Sequence, residues 1–578
     1  MSRRLESRDP SAERLPPRLP GAASRIAARR VRSASQLSAR QVAWALVVVM
    51  VAVFIALVGY HVLYRHWEYH TDAFDLGNMD QAVWNTLHGH PFRFTNRGND
   101  DFGPPTRLSI HVEPIILPLS LLYLIHSGPE TLLVTQTVAL ALGAIPLFAL
   151  SLRRLPEAPF VGVALAFGYL ISPLLLGIAL WEFHPVALAT PLLIAAVLAL
   201  DARRYTWFLV AAILAMSTKE DIGLSVAILA LLLAIARPER RRFGLLVAAG
   251  SLLWVLICFK LILPHYNVGV PGGNNYWYRY AWLGATPAEA VLNLFIRPWI
   301  LIGHLLAPAR LGYLAILLRT AGGLGLLAPI PLLALAPDLA INLLSTHSEQ
   351  YSGFFQYNAA IIPFLMVAAV YGAAALVHTR QRREAAGGPT SARAAGSALR
   401  ASLAHGWRGG ARRLGSAAAE AASAIRDGWR AMLERVPIPA RWLPWALIVW
   451  VIAFSLWNVT TVGRIPPFWK AGNPPSPELA AKVRRVDALL ARIPADASVC
   501  ATDTLNPHVS DRYTLYLTPD PQCYQAEYVA MDLPDTFGDA RAPSTAMLQR
   551  MEASGHYEVI GRVDAIVLLR RTGPPLTP

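Results

Sequence analysis

The chain has 578 residues, of which 54% are hydrophobic and 15% are charged, and its formal net charge is +15. The apolar residues stand in repeated runs of about 15 to 22, the lengths that membrane spans require, and the charges collect in blocks between them. This pattern excludes a soluble multidomain protein and predicts a polytopic helical membrane protein. Most of the basic excess lies in residues 3–40 and 380–441, where it marks the cytoplasmic side rather than a nucleic-acid surface.

The N-terminal region joins a basic stretch to the first apolar run. Residues 1–41 are expected to form a disordered cytoplasmic tail that sets the orientation of the chain. Residues 42–60 are interpreted as a retained span, because no small-residue cleavage site of a signal peptide follows them. They lead into a loop, residues 64–109, that is predicted to be extracytoplasmic.

The later apolar runs are assigned by the rule that arginine-rich turns face the cytoplasm. A full crossing by residues 110–126 would place Arg153 and Arg154 outside, so this stretch is expected to lie in the outer leaflet. Residues 287–308 are expected to form a second amphipathic helix on the same surface. With the first span the crossings number about 11. The later ones lie at about 130–152, 157–178, 186–200, 205–218, 221–236, 243–263, 311–328, 330–345, 359–377 and 441–458.

Four further regions complete the predicted organisation. Residues 42–378 form a transmembrane domain, 379–440 a cytoplasmic loop rich in Arg, Ala and Gly, and 441–460 the last transmembrane helix. Residues 461–578 contain prolines, mixed charge and short alternating runs, and predict a small extracytoplasmic α/β domain. The fold class is therefore an all-α polytopic membrane bundle with a C-terminal α/β domain.

The chain has three cysteines. Cys500 and Cys523 lie in the C-terminal region, which this topology places in an oxidising compartment, so a disulfide between them is a hypothesis. Cys258 lies inside a span and is interpreted as a packing residue.

The acidic residues of the first loop are the leading candidates for catalysis. Asp75 stands where the helical pattern of the loop begins, so its carboxylate either caps that helix or acts as a general base on an acceptor hydroxyl. Asp80 is a second catalytic candidate, or a partner that shifts the pKa of Asp75.

Further polar residues on the extracytoplasmic face are candidates for substrate binding. They are His111, Glu113, Glu182, His184, Lys219, Glu220, Asp221, Arg93, Arg279 and Tyr351. Asp75, His111 and Glu113 are also candidates for a divalent cation, although they match no known metal motif and an interfacial polar network is the alternative.

One segment among these residues carries charge near hydrocarbon. The Lys219–Asp221 segment interrupts two apolar runs, which indicates either a functional site or a salt-linked turn. Arg93, Arg97, Arg279 and Lys219 are the cations available to hold a phosphate, and the sequence does not rank them.

Several separated blocks resemble the DUF2079 family of bacterial membrane proteins. They are Asp75-Leu-Gly-Asn-Met-Asp-Gln-Ala-Val-Trp-Asn-Thr-Leu-His-Gly89, Ile110-His-Val-Glu-Pro, Glu182-Phe-His-Pro, Thr218-Lys-Glu-Asp-Ile-Gly, Tyr351-Ser-Gly-Phe-Phe-Gln-Tyr-Asn-Ala-Ala-Ile-Ile-Pro363 and Asn506-Pro-His-Val-Ser-Asp-Arg512. The resemblance covers nearly all of residues 42–570 except the 379–440 insert.

That family is in turn similar to the GT-C superfamily of membrane glycosyltransferases. The resemblance implies a GT-C-like bundle, a catalytic Asp in the first extracytoplasmic loop and a polyprenyl-phosphate sugar donor. Asp75 stands before Gly89 at the distance that the superfamily's acidic residue usually keeps from a loop glycine. Leu76 replaces the second acidic residue of many members, which weakens a metal role there and leaves Asp80 or Glu113 to replace it.

The function predicted from these features is sugar transfer from a polyprenyl-phosphate donor to an extracytoplasmic glycan, lipid or protein acceptor. The expected location is the cell membrane, with the N-terminus cytoplasmic, and no nucleic-acid partner is expected. A divalent cation is left open as a cofactor. The rivals are a transporter or lipid flippase, which would place ionisable groups near the midplane and show related halves, and a non-catalytic envelope protein.

Overall fold

The computed structural model contains a bundle of helices followed by a small mixed sheet with two helices. It describes residues 22–96, 104–268, 276–385, 428, 437–462, 476–534 and 540–577. The helices of the bundle are α1 (Ala22–Trp67), α2 (Asn78–Leu87), α3 (Ile116–Ser120), α4 (Pro129–Leu142), α5 (Ala144–Arg154), α6 (Pro159–Leu170), α7 (Pro173–Leu180), α8 (Ala189–Asp201), α9 (Tyr205–Met216), α10 (Ile222–Ala236), α11 (Arg241–Ile257), α12 (Leu263–Tyr266), α13 (Pro287–Ile296), α14 (Pro298–Leu305), α15 (Pro308–Arg319), α16 (Ala336–Leu344), α17 (Ile362–Ala385) and α18 (Leu443–Thr461).

The helical membrane bundle expected from the sequence is confirmed. Among the described residues, six helices are long and apolar enough to cross a membrane, or up to eight if each of two bent helix pairs counts as one span. The predicted number was about 11. The difference arises because four predicted spans fold as apolar helices of 10–17 residues, at Pro185–Asp201, Tyr205–Met216, Ile222–Ala236 and Ile330–Leu344.

The span Gln356–Ala385 lies at the centre of the bundle and Pro238–Tyr266 at its periphery. The most apolar stretch of the first is 83% buried inside the protein, against 17% for the second. Small residues on α17 allow neighbouring segments to approach closely. A Cβ atom at Gly372 would overlap the Leu324 carbonyl oxygen, so this packing requires glycine at that position.

Two stretches expected on the outer surface fold as short, interrupted helices. Residues 110–126 contain α3 and one 3₁₀ turn, and they expose apolar side chains such as Leu121 and Leu124. In the second stretch, α13 and α14 meet at an angle of 92°. The bend occurs at Pro298, whose ring cannot continue the preceding helix.

The C-terminal region forms a five-stranded sheet in the order β2-β1-β3-β5-β4. Its strands are β1 (Val499–Ala501), β2 (Leu515–Leu517), β3 (Tyr528–Asp532), β4 (Tyr557–Val563) and β5 (Ile566–Arg571), and its helices are α19 (Pro477–Leu490) and α20 (Arg541–Ala553). β1 pairs in parallel with β2 and β3, whereas β5 is antiparallel to β3 and β4. This mixed sheet is the α/β domain expected from the sequence.

The C-terminal sheet contacts the first loop of the bundle through amide and hydroxyl groups. The side-chain amides of Asn96 and Asn506 exchange hydrogen bonds of 2.7 and 2.9 Å. The Thr95 hydroxyl donates to the Leu515 carbonyl at 2.7 Å and accepts from the Leu515 amide at 2.9 Å. These contacts hold the end of β2 against the loop. We call the surface that the first loop (residues 64–109) forms beside this domain the loop face.

Cys500 of β1 and Cys523 form a disulfide with Cα atoms 5.2 Å apart, as the sequence hypothesis proposed. Cys258 is buried and free. Residues 1–21 of the tail that was predicted to be disordered (1–41) lie outside the described residues, and residues 22–41 form the first part of helix α1. The predicted cytoplasmic loop 379–440 falls mostly outside them.

Candidate active site

A cavity of about 940 Å³ lies at the loop face, between the first loop and the turns that join the helices. Segments from far-apart parts of the chain form its wall. The predicted site residues that line it are Asp75, His111, Glu113, His184, Lys219, Glu220, Asp221 and Arg279. The sequence therefore selected residues that the fold brings together from five separate segments.

Asp75 lies on a π-helical turn, Ala73–Gly77, that leads directly into α2. Its Oδ2 accepts a hydrogen bond of 2.8 Å from the Trp181 indole, and its Oδ1 lies 3.2 Å from His184 Nε2. Burial favours the neutral form of Asp75. His184, Trp181 and Arg107 outweigh that effect and hold the pKa of this carboxyl below its usual range. The side chain remains 33% exposed, so a charged carboxylate faces the cavity.

Two other carboxylates hold the turn that carries Asp75. Glu182 is buried, and its two oxygens accept from the Asp72 amide at 2.6 Å and the Leu76 amide at 3.0 Å. Asp503, from the C-terminal sheet domain, accepts from the Ala73 amide at 2.9 Å. They satisfy the backbone donors at the start of the helix. No side-chain capping bond from Asp75 is present at either helix start, so the capping alternative lacks the bond it requires.

Asp80 lies away from the cavity wall. It is fully buried and accepts hydrogen bonds from the Tyr123 hydroxyl and, at 2.6 Å, from the Ser510 hydroxyl. Burial, followed by the charge of Asp511, raises the pKa of Asp80 well above its usual range. Asp80 therefore joins α2 to the C-terminal domain, and the influences on the pKa of Asp75 come from other residues.

Besides His184 with Asp75 and His347 with Glu349, three acid–base pairs line the cavity wall in the described residues. Arg107 Nη2 lies 3.0 Å from Glu113, His111 Nδ1 lies 2.9 Å from Glu220, and Lys219 Nζ lies 2.7 Å from Asp221. Burial opposes ionisation of Glu220, but its neighbours His111 and Lys219 lower the pKa to about 2. Burial would also lower the pKa of Lys219, and its acidic neighbours raise it instead. These charges neutralise one another across the wall.

Arg279 is the cavity cation with a different environment. Its guanidinium contacts the Gln350 amide oxygen and the Tyr357 hydroxyl, each at 3.4 Å, and lies over the rings of Tyr276 and Tyr278. Within the described part of the chain it forms no ion pair with a carboxylate. Its charge is thus available to an anion in the cavity.

The remaining predicted residues lie outside the cavity wall. Arg93 packs over the Tyr513 ring, 4.1 Å from the centroid. Tyr351 packs under the Arg310 guanidinium, 4.2 Å from its ring centroid. Arg97 lies outside the described residues.

Sequence reasoning missed Arg107, which donates to Glu113 and also to the Asn78 side chain. Its position six residues before Glu113 was a weak signal, because an isolated arginine in a polar loop is common. Tyr276 and Tyr357, which were not among the predicted site residues, also line the wall. Only the folded chain shows which aromatic side chains face the cavity.

The residues proposed for a divalent cation do not converge. Asp75, His111 and Glu113 each contact a different partner, namely His184, Glu220 and Arg107. Throughout the described ranges, no group of three or more His, Cys, Asp or Glu side chains could hold a metal ion. The donor set therefore does not fit a metal centre, and no step of the reaction below uses one.

The sequence matches the family described as "Predicted membrane protein (DUF2079)" over residues 65–392, which is more than half of the chain. The chain belongs to the DUF2079 family. The first loop from residue 65, the cavity segments up to Tyr357 and the central helix α17 all lie within the matched range. The C-terminal domain that supplies Asp503 lies beyond it.

Two solved structures are similar to this DUF2079 protein. Both are ArnT from Cupriavidus metallidurans, one bound to undecaprenyl phosphate and one in the apo state. They are 12% and 13% identical, each covers 91% of this chain, and the match spans 99% and 98% of ArnT with a TM-score of 0.44. Likeness at this level assigns no residue and no activity. No relative is found among the curated proteins.

Proposed function

We propose that this DUF2079 protein is a glycosyltransferase of GT-C architecture. It moves a sugar from a polyprenyl-phosphate donor to an extracytoplasmic acceptor. The observation that carries the proposal is one cavity containing both a charged, partly exposed Asp75 and Arg279, an arginine that pairs with no carboxylate among the described residues. A base for the acceptor and a cation for the donor phosphate are the two groups that this reaction needs.

The reaction requires one bond exchange and one proton transfer. The acceptor oxygen attacks the sugar C1 atom as the bond between C1 and the phosphate oxygen breaks, and the phosphate leaves with the electron pair. Attack opposite the leaving group inverts the configuration at C1. The acceptor proton passes to Asp75, whose two anchoring donors leave its remaining lone pairs for the substrate.

Arg279 is the best-placed cation for the donor phosphate. Arg107 and Lys219 are paired with Glu113 and Asp221, so a phosphate would have to displace a carboxylate to bind them. When a phosphate binds Arg279, the guanidinium gives up only its contacts with the neutral oxygens of Gln350 and Tyr357. It gains contacts with charged phosphate oxygens in return. A planar guanidinium also donates two parallel hydrogen bonds to phosphate oxygens.

An apolar groove next to the cavity suits the isoprenoid chain of the donor. It has a volume of about 540 Å³ and is lined mostly by leucines of α13 to α16. Helix α16 contributes to both sites: Asp338 and Asn342 line the polar cavity, and Leu339 and Leu343 line the groove. A phosphate in the cavity and an apolar tail in the groove would therefore lie on opposite sides of one helix.

The experiment that tests the proposal is sugar transfer by purified protein in lipid vesicles. The probes are polyprenyl-phosphate hexoses and pentoses with a radiolabelled sugar, mixed with cell-envelope extract as the source of acceptor. Asp75→Asn should lower transfer by about 100-fold to 10,000-fold, the range lost when a general base is removed. Asp496→Asn, a change of an exposed aspartate in the C-terminal domain, should leave transfer unchanged.

Transfer that persists in Asp75→Asn would remove this residue from the catalytic role. A protein that binds polyprenyl phosphate and moves it between leaflets without sugar transfer would be a flippase. Absence of both binding and transfer across the donor panel would favour a non-catalytic envelope protein.

A further inference from the structure

The imidazole of His184 is held at both ring nitrogens. Nδ1 lies 3.0 Å from the backbone carbonyl oxygen of Glu182, and Nε2 lies 3.2 Å from Asp75 Oδ1. The backbone amide of His184 donates to the Gln136 side-chain oxygen at 2.9 Å. The side chain is 12% exposed, so water has little access to the ring. These contacts fix the orientation of both nitrogens.

The chemistry of the two partners determines how many protons the ring carries. A backbone carbonyl oxygen only accepts hydrogen bonds, so Nδ1 must carry a hydrogen. An ionised carboxylate also only accepts, so Nε2 must carry one as well. A neutral imidazole has a single N–H and would place a lone pair of Nε2 against a lone pair of Asp75. Both contacts are satisfied only by a doubly protonated ring.

The groups around the pair favour the charged carboxylate. The Trp181 indole donates to Oδ2 of Asp75, and Arg107 adds a positive charge from the side of the cavity. Behind the turn lie Asp72, Glu182 and Asp503, and burial above all raises the pKa of each of these three acids. Tyr276 and Tyr357 line the same cavity. Asp75 is thus the acid of this cluster whose pKa is lowered.

We propose that His184 is held as an imidazolium by Asp75 and the Glu182 carbonyl, and that it acts as a positioning residue for Asp75. The ion pair fixes the carboxylate orientation and keeps it ionised between turnovers. This role differs from direct substrate binding, since the ring nitrogens are both occupied by the protein.

The consequence for catalysis rests on the proposed glycosyl transfer. An Asp75 paired with an imidazolium is a weak base in the resting site. It accepts the acceptor proton only as the bond to the donor phosphate breaks and the acceptor hydroxyl becomes more acidic. A weak base of this kind protects the donor from premature attack by water.

The test measures the chemical reactivity of His184 without any substrate. Diethyl pyrocarbonate acylates an imidazole nitrogen that carries no proton, and mass spectrometry quantifies the modified peptide. At about pH 7, the ordinary titration range of histidine, His184 should react at least tenfold more slowly than His90, an exposed histidine of the first loop. Asp75→Asn should raise the His184 rate at least tenfold, because loss of the carboxylate charge leaves a neutral ring whose Nε2 carries no proton.

A matched variant separates charge from loosened packing. Trp181→Phe removes the other donor to Asp75 but keeps the carboxylate, so the rate at His184 should stay within about twofold of the original, well below a tenfold change worth ~1.4 kcal/mol. If Trp181→Phe and Asp75→Asn accelerated the modification of His184 equally, the proposed ion pair would be wrong. An unchanged His184 rate in Asp75→Asn would also contradict it. The labelling needs no sugar transfer, so loss of the proposed function and loss of the ion pair give different results.

Discussion

At the scale of single residues, the cavity is organised by which charges are neutralised. Glu113, Glu220 and Asp221 each contact a basic side chain of the wall. Arg279 contacts tyrosines and an amide instead. A buried ion pair resists separation, because removing one partner leaves an uncompensated charge in a poorly solvated site. Among the described residues of the wall, the Arg279 guanidinium, which pairs with no carboxylate there, is therefore where an anionic ligand gains the most binding free energy.

Arg279→Gln should weaken binding of polyprenyl phosphate. A hydrogen bond to a charged group contributes about 1.5–3 kcal/mol, so affinity should fall roughly 10-fold to 100-fold. Native mass spectrometry of the purified protein with polyprenyl phosphate measures this change. Arg297→Gln, at the exposed bend between α13 and α14, is the matched control and should bind like the original protein. Equal loss in both variants would show a general charge effect and contradict the assignment.

At the scale of elements, the turn before α2 depends on segments distant in sequence. The turn between α7 and α8 supplies Glu182, and the C-terminal domain supplies Asp503, each accepting from backbone amides beside Asp75. Asp80 ties α2 to Ser510 in the same domain. The C-terminal domain thus helps to position the loop that forms the cavity wall.

The contact between α2 and the C-terminal domain should depend on pH through Asp80. Its pKa is raised in the folded protein by burial and by Asp511, so the folded state binds this proton more tightly than the unfolded state. The resulting stabilisation is present below the ordinary aspartate pKa and is lost as pH rises through the raised pKa. The apparent Tm in detergent should therefore fall as pH rises above the ordinary aspartate range, and it should fall less in Asp80→Asn.

Other titrating groups contribute to the absolute Tm, so the comparison uses the difference between two proteins. Burial lowers the pKa of His508, so this residue stabilises the folded state more as pH rises. This effect on Tm opposes the effect of Asp80. Asp511, Arg512 and Glu130 also face this contact. Asp496→Asn serves as the control and should follow the original curve. Parallel curves for Asp80→Asn and the original protein would contradict the assignment.

At the scale of the whole molecule, α17 begins at Ile362, shortly after the cavity residue Tyr357, and runs for 24 residues to Ala385. The positive-inside rule predicts that the loop face is extracytoplasmic, because α17 ends in Arg382 and Arg383. A polyprenyl-phosphate sugar presented on the outer leaflet could then enter the cavity directly from the membrane.

Cysteine labelling in intact cells tests this orientation. Asp496→Cys, in the C-terminal domain, should react with a membrane-impermeant maleimide, whereas Arg382→Cys should react only after permeabilisation. Both positions are exposed, and the native Cys258 is buried. The opposite labelling pattern would place the cavity on the cytoplasmic side and contradict the proposed acceptor location.

The sequence by itself determined the helical bundle, the C-terminal α/β domain and eight residues of the cavity wall. Hydrophobic runs of span length have one stable arrangement in a bilayer, because backbone groups must be hydrogen-bonded within each helix. Ionisable residues between such runs cost free energy near hydrocarbon and are therefore candidates for a functional site. On this ground the sequence indicated Asp75, His184 and Lys219.

Only the tertiary structure decided which charge pairs with which. Glu182 and Asp80 look like site residues along the chain, yet their oxygens contact backbone amides or the C-terminal domain. Arg107 was not distinguished by sequence, and Arg279 was one cation among several. Ion pairing depends on distances of a few ångströms between segments far apart in sequence, and local pattern carries no information about them.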